Sequence, residues 1–407
     1  MSRLEDEANE MRSEFKARCA DFLLQQRRRR REMRRVARML ARGDNTSPDD
    51  GGGAQSSSTS DASADTRSTA ANSTAAVPDR AKRNQEKRKH QIEKQRQKRL
   101  FYVAQFMCPE WMVIQPQFNA DKWLVMPRPD GKRCIVSATA GLTTSRTKNG
   151  NVLHKWPSEL PSGSRKTNGR SEEATLLDCV YDTSTRTYFV IDLMLWRGRL
   201  LYDTEASFRM WWLRSKFAEE CPTIQNARGA NKFSIAPATI FPCSRSGLAE
   251  AYSGTSVPYK RDGLLFFHKE GFYEPGVTPL VLHWKDPNCC TYFVNTTGDS
   301  SDTSQRVVLE VSQTGALLTQ EKLQLGQLTR EHVVKLKIQP GNFLRFKIQG
   351  VKMNPHSGAL VSLVGPQFQE ICGPSRLMAD SSSQIVFQYI ARNSPLTIQT
   401  VAAGIAE

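Results

Sequence analysis

The stretch VMPRPDGKR, Val125–Arg133, decides how the rest of the chain is read. An apolar run, KWLVM, enters a turn made by Pro129, Asp130 and Gly131, and a second apolar run, RCIVSA, leaves it. Two apolar runs joined by a short Pro/Gly turn predict two successive strands. The turn carries Arg128 on its entry side and Lys132 and Arg133 on its exit side. It is therefore a candidate binding loop as well as a structural one.

The same texture runs from about residue 107 to 290. The runs ATLLDCVYD, TYFVIDLMLW, GLLFFHK and TPLVLHW are separated by Gly, Pro and Asn. They predict strands of mainly antiparallel sheets, and FRMWWLRSKF, Phe208–Phe217, is the best helix candidate among them. The fold class expected is α+β. Residues 291–407 continue in a β-like manner (RVVLEV, VVKLKI, FLRFKIQGV, QIVFQYI) without a motif that assigns a role.

The first hundred residues differ. Residues 1–44 form a first segment in which 11–42 contain neither Gly nor Pro, so one long basic helix or two short ones are expected, with Gly43 as the stop. Residues 45–79 are rich in Ser, Thr, Asp, Ala and Gly, cannot bury enough surface to offset the entropy of ordering, and read as a flexible linker. A second basic helix is expected over 80–106, its apolar end Phe101, Tyr102, Val103 and Phe106 docking onto the domain that follows. Residues 1–45 hold 13 Lys/Arg against 8 Asp/Glu and residues 80–100 hold 10 against 2, so these segments supply 13 of the net charge of +16. Such local charge calls for an acidic partner, whether nucleic acid, membrane or protein groove.

No run of about 18 apolar residues occurs and the start, MSRLEDEANE, lacks the apolar stretch of a signal peptide, so a soluble intracellular protein is expected. The nine cysteines form no CxxC pair and the six histidines are widely spaced. Reduced structural thiols, no zinc site and no metal or other cofactor are the expectation.

A lysine nucleophile for nucleotidyl transfer needs its amine at a strand end, a close turn, a following Asp-Gly pair and cations for the phosphates. The pattern is K-x-D-G-x-R, and the chain reads Arg128-Pro129-Asp130-Gly131-Lys132-Arg133. Downstream come VIDLMLWRG (Val190–Gly198), RDGLLFF (Arg261–Phe267) and LVLHWKDP (Leu280–Pro287). In order and spacing this series resembles the mRNA guanylyltransferase fold, an antiparallel-sheet nucleotidyltransferase architecture. Arginine cannot serve as the nucleophile, because its guanidinium stays protonated and its charge is delocalised. Asp262, a metal ligand in a transferase, reads here as a turn residue.

Across residues 106–287 the blocks FMCPEWM (Phe106–Met112), RPDGKRCIVSA, TKNG (Thr147–Gly150), LLDCVYD (Leu176–Asp182), FVIDLMLWRG, RDGLLFFHK and TPLVLHW are similar to the snurportin family of nuclear import adaptors. The resemblance implies a guanylyltransferase-like domain without transferase activity that binds the trimethylguanosine 5′ cap of small nuclear RNAs. It also implies an N-terminal helix that binds importin β, and shuttling between cytoplasm and nucleus; whether an export receptor is used on the return is left open. By position it implies cap contacts at Cys108, Trp111, Arg133 and Lys148; Pro109 and Arg128, in the same motifs, are further candidates, and Lys285 joins Arg133 and Lys148 as the separated cations that a chain of phosphates requires. The family's stacking tryptophan aligns without gaps to His283, with Trp284 one residue later. Strand alternation puts His283 and Lys285 on one face and Trp284 on the other. An electron-rich indole suits an N7-methylated, positively charged guanine better than an imidazole, so Trp284 is expected to stack and Trp111 to touch the N2 methyls. For importin β the resemblance points to Arg27, Arg28, Arg29, Arg30, Arg31, Arg34, Arg35 and Arg38, with the second basic segment as a competing candidate. The alternatives are a guanylyltransferase or ligase-like enzyme that takes its lysine from elsewhere, and a general RNA-binding protein with basic arms.

Overall fold

The computed structural model describes residues 2–29, 77–164, 173–225, 232–294 and 304–405. The first helix, α1, spans Ser2–Arg28. Its Phe15, Cys19, Phe22, Leu23 and Gln26 recur at helical spacing and form the face it buries. The remainder of the expected first basic helix and residues 45–76 of the expected linker lie outside the described residues. The second helix, α2, spans Val77–Val103, three residues earlier at each end than expected, and buries Tyr102 and Val103 while its polar middle is exposed.

Strands β1 (Met107–Trp111), β2 (Trp123–Pro129), β3 (Lys132–Thr139), β4 (Leu142–Thr147), β5 (Val152–Trp156) and β6 (Thr175–Asp182) follow. After them come β7 (Thr187–Trp196), β8 (Arg199–Leu200), helix α3 (Ala206–Glu220), β9 (Ser234–Pro237) and β10 (Phe241–Pro242). Helix α4 (Arg245–Ser253), β11 (Arg261–His268) and β12 (Gly276–Trp284) complete this half. One sheet has the order β1-β12-β11-β2-β10 and the other β5-β4-β3-β6-β7-β8, with β9 beside β7. Apart from the parallel pairs β1/β12 and β7/β9, every pairing is antiparallel. The fold is α+β with mainly antiparallel sheets, as expected.

Period-two alternation sorts each strand between two cores. Met126, Leu265, Phe267 and Val281 of the first sheet meet Ile135, Val180, Phe189 and Ile191 of the second. The back of the first sheet, with Val125, Phe266, Leu282 and Trp284, packs against Phe15 and Cys19 of α1. The back of the second sheet packs against Leu213 and Phe217 of α3, within which the predicted FRMWWLRSKF helix lies. Gly131 makes the turn between β2 and β3 possible: its φ is +148°, and a Cβ there would lie 2.4 Å from the Tyr181 carbonyl oxygen.

Residues 304–405 build a further unit on a core of Val307, Leu309, Leu344, Phe346 and Ile385. Its strands are β13 (Gln305–Val311), β14 (Ala316–Leu318), β15 (Gln324–Gln327), β16 (Phe343–Ile348), β17 (Gly350–Met353), β18 (Leu360–Val364) and β19 (Gln367–Ile371). They form a sheet of order β15-β14-β13-β16-β19 and a hairpin of β17 and β18. Helices α5 (Arg330–Lys335), α6 (Ser382–Asn393) and α7 (Ile398–Ala403) accompany them. The chain then returns to the back of the first sheet, where Val401 and Ile405 are buried beside Phe118 and Trp284.

All nine cysteines are unpaired. Among the described residues, no helix is long and apolar enough to cross a membrane, and no group of three or more His, Cys, Asp or Glu could hold a metal ion.

Candidate functional site

The two large sheets separate at one end into a cleft of about 550 Å³, closed on its third side by the C-terminal unit. Inward-facing positions at the ends of the strands continue the core pattern but carry polar side chains. Arg128 follows Met126 on β2, His283 follows Val281 on β12 with Lys285 just past its end, and Arg133 precedes Ile135 on β3. Lys148 leans in from the turn after β4. That turn is held from outside by α2, where Arg99 Nε donates to the Asn149 carbonyl oxygen at 3.2 Å and Gly150 packs on Tyr102.

The cations are not equivalent. Arg133 is locked, since Nε and Nη2 donate to the two Asp178 oxygens at 3.0 and 2.6 Å and Nη2 also donates to the Met107 carbonyl at 2.6 Å. Tyr273 donates to the same carboxylate at 2.8 Å. Burial alone would lower the pKa of Arg133, but Asp178 outweighs it and the value is raised. Arg128 and Lys285 share one carboxylate, Asp262. Gly263 permits this: with φ of +91° it lies so close to β12 that a Cβ would sit 2.4 Å from the Trp284 carbonyl oxygen. Asp262 is thus an ion-pair partner rather than a plain turn residue. Arg128 nevertheless has its pKa lowered by burial.

Lys148 has no ion pair among the described residues. Its ammonium lies 6.0 Å from the Phe106 ring centroid, and burial, with the nearby Arg133 and Arg128 charges, lowers its pKa. A cation held in a cleft without a carboxylate calls for an anion from outside.

Beside these charges stands an aromatic stack. Trp111 has His283 at 4.5 Å and Phe387 of α6 at 4.6 Å between ring centroids, tilted by 40° and 39°. Lys285 Nζ lies 5.7 Å from the same indole centroid, so Trp111 already faces a cation. His283 is held well below the ordinary histidine pKa, first by burial and then by Lys285 and Arg128, so it is neutral at physiological pH.

The cleft thus combines an indole beside Lys285, the further cations Arg128, Arg133 and Lys148 and a close glycine turn, all in the segment that matches the family description "Snurportin1, m3G cap-binding domain" over residues 105–287. This segment is similar to a snurportin cap-binding domain. Among solved structures, the chain is similar to the ligase domain of M. tuberculosis LigD, at 16% identity and a TM-score of 0.33, covering 68% of this chain and 99% of that one. It is also similar to the Chlorella virus DNA ligase-adenylate, at 11% identity and a TM-score of 0.30, covering 65% and 99%. Likenesses this distant assign no function.

Within this segment, Cys108, Pro109, Trp111, Arg128, Arg133, Lys148, His283 and Lys285 all line the one cleft. Trp284 does not. It is 0% exposed, lies in the core behind the sheet, and donates from Nε1 to the Leu396 carbonyl at 3.0 Å. The expectation that it stacks on the ligand is corrected by the alternation that Leu280, Leu282 and Trp284 obey; of the aromatic candidates, Trp111 and His283 face the cleft. Of the arginines assigned to importin β, Arg27 lies 3.6 Å from Glu270 and Arg29 3.0 Å from Glu274, while Arg28 is exposed. Arg30, Arg31, Arg34, Arg35 and Arg38 lie outside the described residues.

Sequence reasoning missed the third wall, Ser375–Ser381 with Gln320 and Gln384. Its local signal was present in ADSSSQIVFQYI, where Ser381 caps α6 by accepting from the Gln384 amide at 3.2 Å. Nothing in that signal says where the helix docks.

Proposed function

We propose that the chain binds the trimethylguanosine 5′ cap of small nuclear RNAs, and that it is an import adaptor linking the capped particles to importin β and shuttling between cytoplasm and nucleus. The observation that carries the cap reading is the meeting, in one cleft, of the Trp111/His283 pair with Lys148, a cation lacking an acidic partner among the described residues. N7-methylation makes guanine a cation, and an indole stacks on it with a cation–π contribution of about 0.5–2 kcal/mol beyond ordinary stacking. The triphosphate then lies along Lys148 and Lys285, with Arg128 at the turn. Separated cations suit a chain of phosphates because each neutralises a different oxygen.

Binding without transfer follows from the same residues. Arg128 stands where the nucleophilic lysine would, and it is engaged by Asp262. Of the cleft lysines, Lys285 is held by Asp262 and Lys148 lies beyond the turn. Incubation with labelled GTP and magnesium is expected to leave no labelled band on denaturing electrophoresis. A band, with the label mapped to Lys148 or Lys285, would restore the transferase reading.

The receptor link rests on the dense cations of the first segment and on the family resemblance. Deleting residues 1–43 is expected to abolish importin β binding in a pull-down. Retention of binding in that deletion, with loss on deleting residues 80–100, would transfer the role to α2.

A further inference from the structure

The sheet walls of the cleft are rich in charge, and their carboxylates are engaged by cations. Asp178 is occupied by Arg133 and Tyr273, Asp262 by Arg128 and Lys285, and Asp192 by Arg209 through two contacts at 2.8 and 2.9 Å. On the third wall Asp380 is likewise taken, accepting from the Val308 amide at 2.8 Å and from Arg376 at 2.5 Å. No cleft carboxylate among the described residues is free of a cationic partner.

Two side-chain amides are less engaged. The carboxamide of Gln384, in the first turn of α6, makes no hydrogen bond among the described residues, although it lines the cleft and is half-buried. Gln320, reaching in from the end of β14, spends only its Nε2, on a 3.6 Å contact to Cys108 Sγ, and its Oε1 has no partner among the described residues. Both belong to the C-terminal unit, beyond the segment 105–287 that matches the snurportin domain. That unit is fixed to the aromatic pair, because Ser383 Oγ accepts from the Trp111 amide at 3.1 Å and Phe387 lies on the indole.

A carboxamide carries one acceptor and one donor side by side. A guanine whose N2 bears two methyls keeps one donor, N1–H, and one acceptor, O6, on its pairing edge. The two patterns are complementary, and edges of unstacked bases are read in this way. We infer that the C-terminal unit reads the base, with Gln384 and Gln320 as specificity-determining residues for the pairing edge of the methylated guanine. The inference rests on the cap reading above and adds to it that the site is incomplete without residues 304–405.

The test uses the full chain and the near-isosteric variants Gln384→Leu, Gln320→Leu and the double variant, with two probes: trimethylguanosine cap dinucleotide and inorganic tripolyphosphate. Folding is verified by thermal unfolding. The double variant is expected to bind the cap dinucleotide about 10-fold more weakly while its affinity for tripolyphosphate changes far less; Lys148→Ala is expected to weaken both. A cap affinity within 2-fold of the unsubstituted chain, or equal losses for both probes, would overturn the inference while leaving the cap reading in place. Failure of the unsubstituted chain to bind the cap would overturn the cap reading, and the inference with it.

Discussion

Trp284→Ala is expected to lower the stability of the fold by about 3–5 kcal/mol, the range for removing a large buried aromatic side chain. The indole is fully enclosed behind the first sheet with Phe118, Phe266, Val401 and Ile405, and the substitution also leaves the Leu396 carbonyl without its 3.0 Å donor. Denaturant unfolding measures the loss. The gentler Trp284→Phe keeps most of the volume, and its cap affinity is expected to stay within about 2-fold of the unsubstituted chain, because position 284 faces away from the cleft. A cap-binding defect in Trp284→Phe far beyond its loss of stability would return the stacking role to Trp284.

Lys148→Glu is expected to have the largest effect on binding, a loss of about 2–4 kcal/mol, or roughly 30- to 1,000-fold in affinity. The substitution removes the one cleft cation that has no carboxylate partner among the described residues and sets a negative charge against the phosphates. Arg133→Lys is the informative contrast. Arg133 grips Asp178 with two donors and Met107 with one, a geometry an ammonium cannot reproduce, so the substitution acts through the shape of the β3/β6 wall. Affinities measured at several salt concentrations separate the two, since loss of a phosphate contact reduces the salt slope by about one.

The strands were legible in the chain because apolar runs bounded by Gly and Pro report directly on a pleated, half-buried backbone. KWLVM became β2, TYFVIDLMLW became β7, and the basic run ending in Phe101 and Tyr102 became α2. The cleft residues of β1, β2, β3 and β12 were legible by position for the same reason. Alternation also separates His283 from Trp284, and the packing of Leu280, Leu282 and Trp284 into one core shows that it is a stronger constraint on position 284 than the chemical preference of a methylated guanine for an indole. Two features were beyond reach. The pairing of Asp262 with both Arg128 and Lys285 depends on how close β11 comes to β12 at Gly263, a distance no spacing rule encodes. The wall supplied by Gln320 and Gln384 depends on where the C-terminal unit docks, more than two hundred residues along the chain from Cys108.

Competition binding on the full chain, with trimethylguanosine-capped, monomethylguanosine-capped and uncapped RNA of one sequence, tests the central claim most directly. If the cleft reads the cap, trimethylated cap competes best, monomethylated cap more weakly and uncapped RNA poorly at physiological salt, where contacts to phosphate alone are screened. Equal competition by all three, falling together as salt is raised, would contradict that reading and leave a general RNA-binding protein with basic arms.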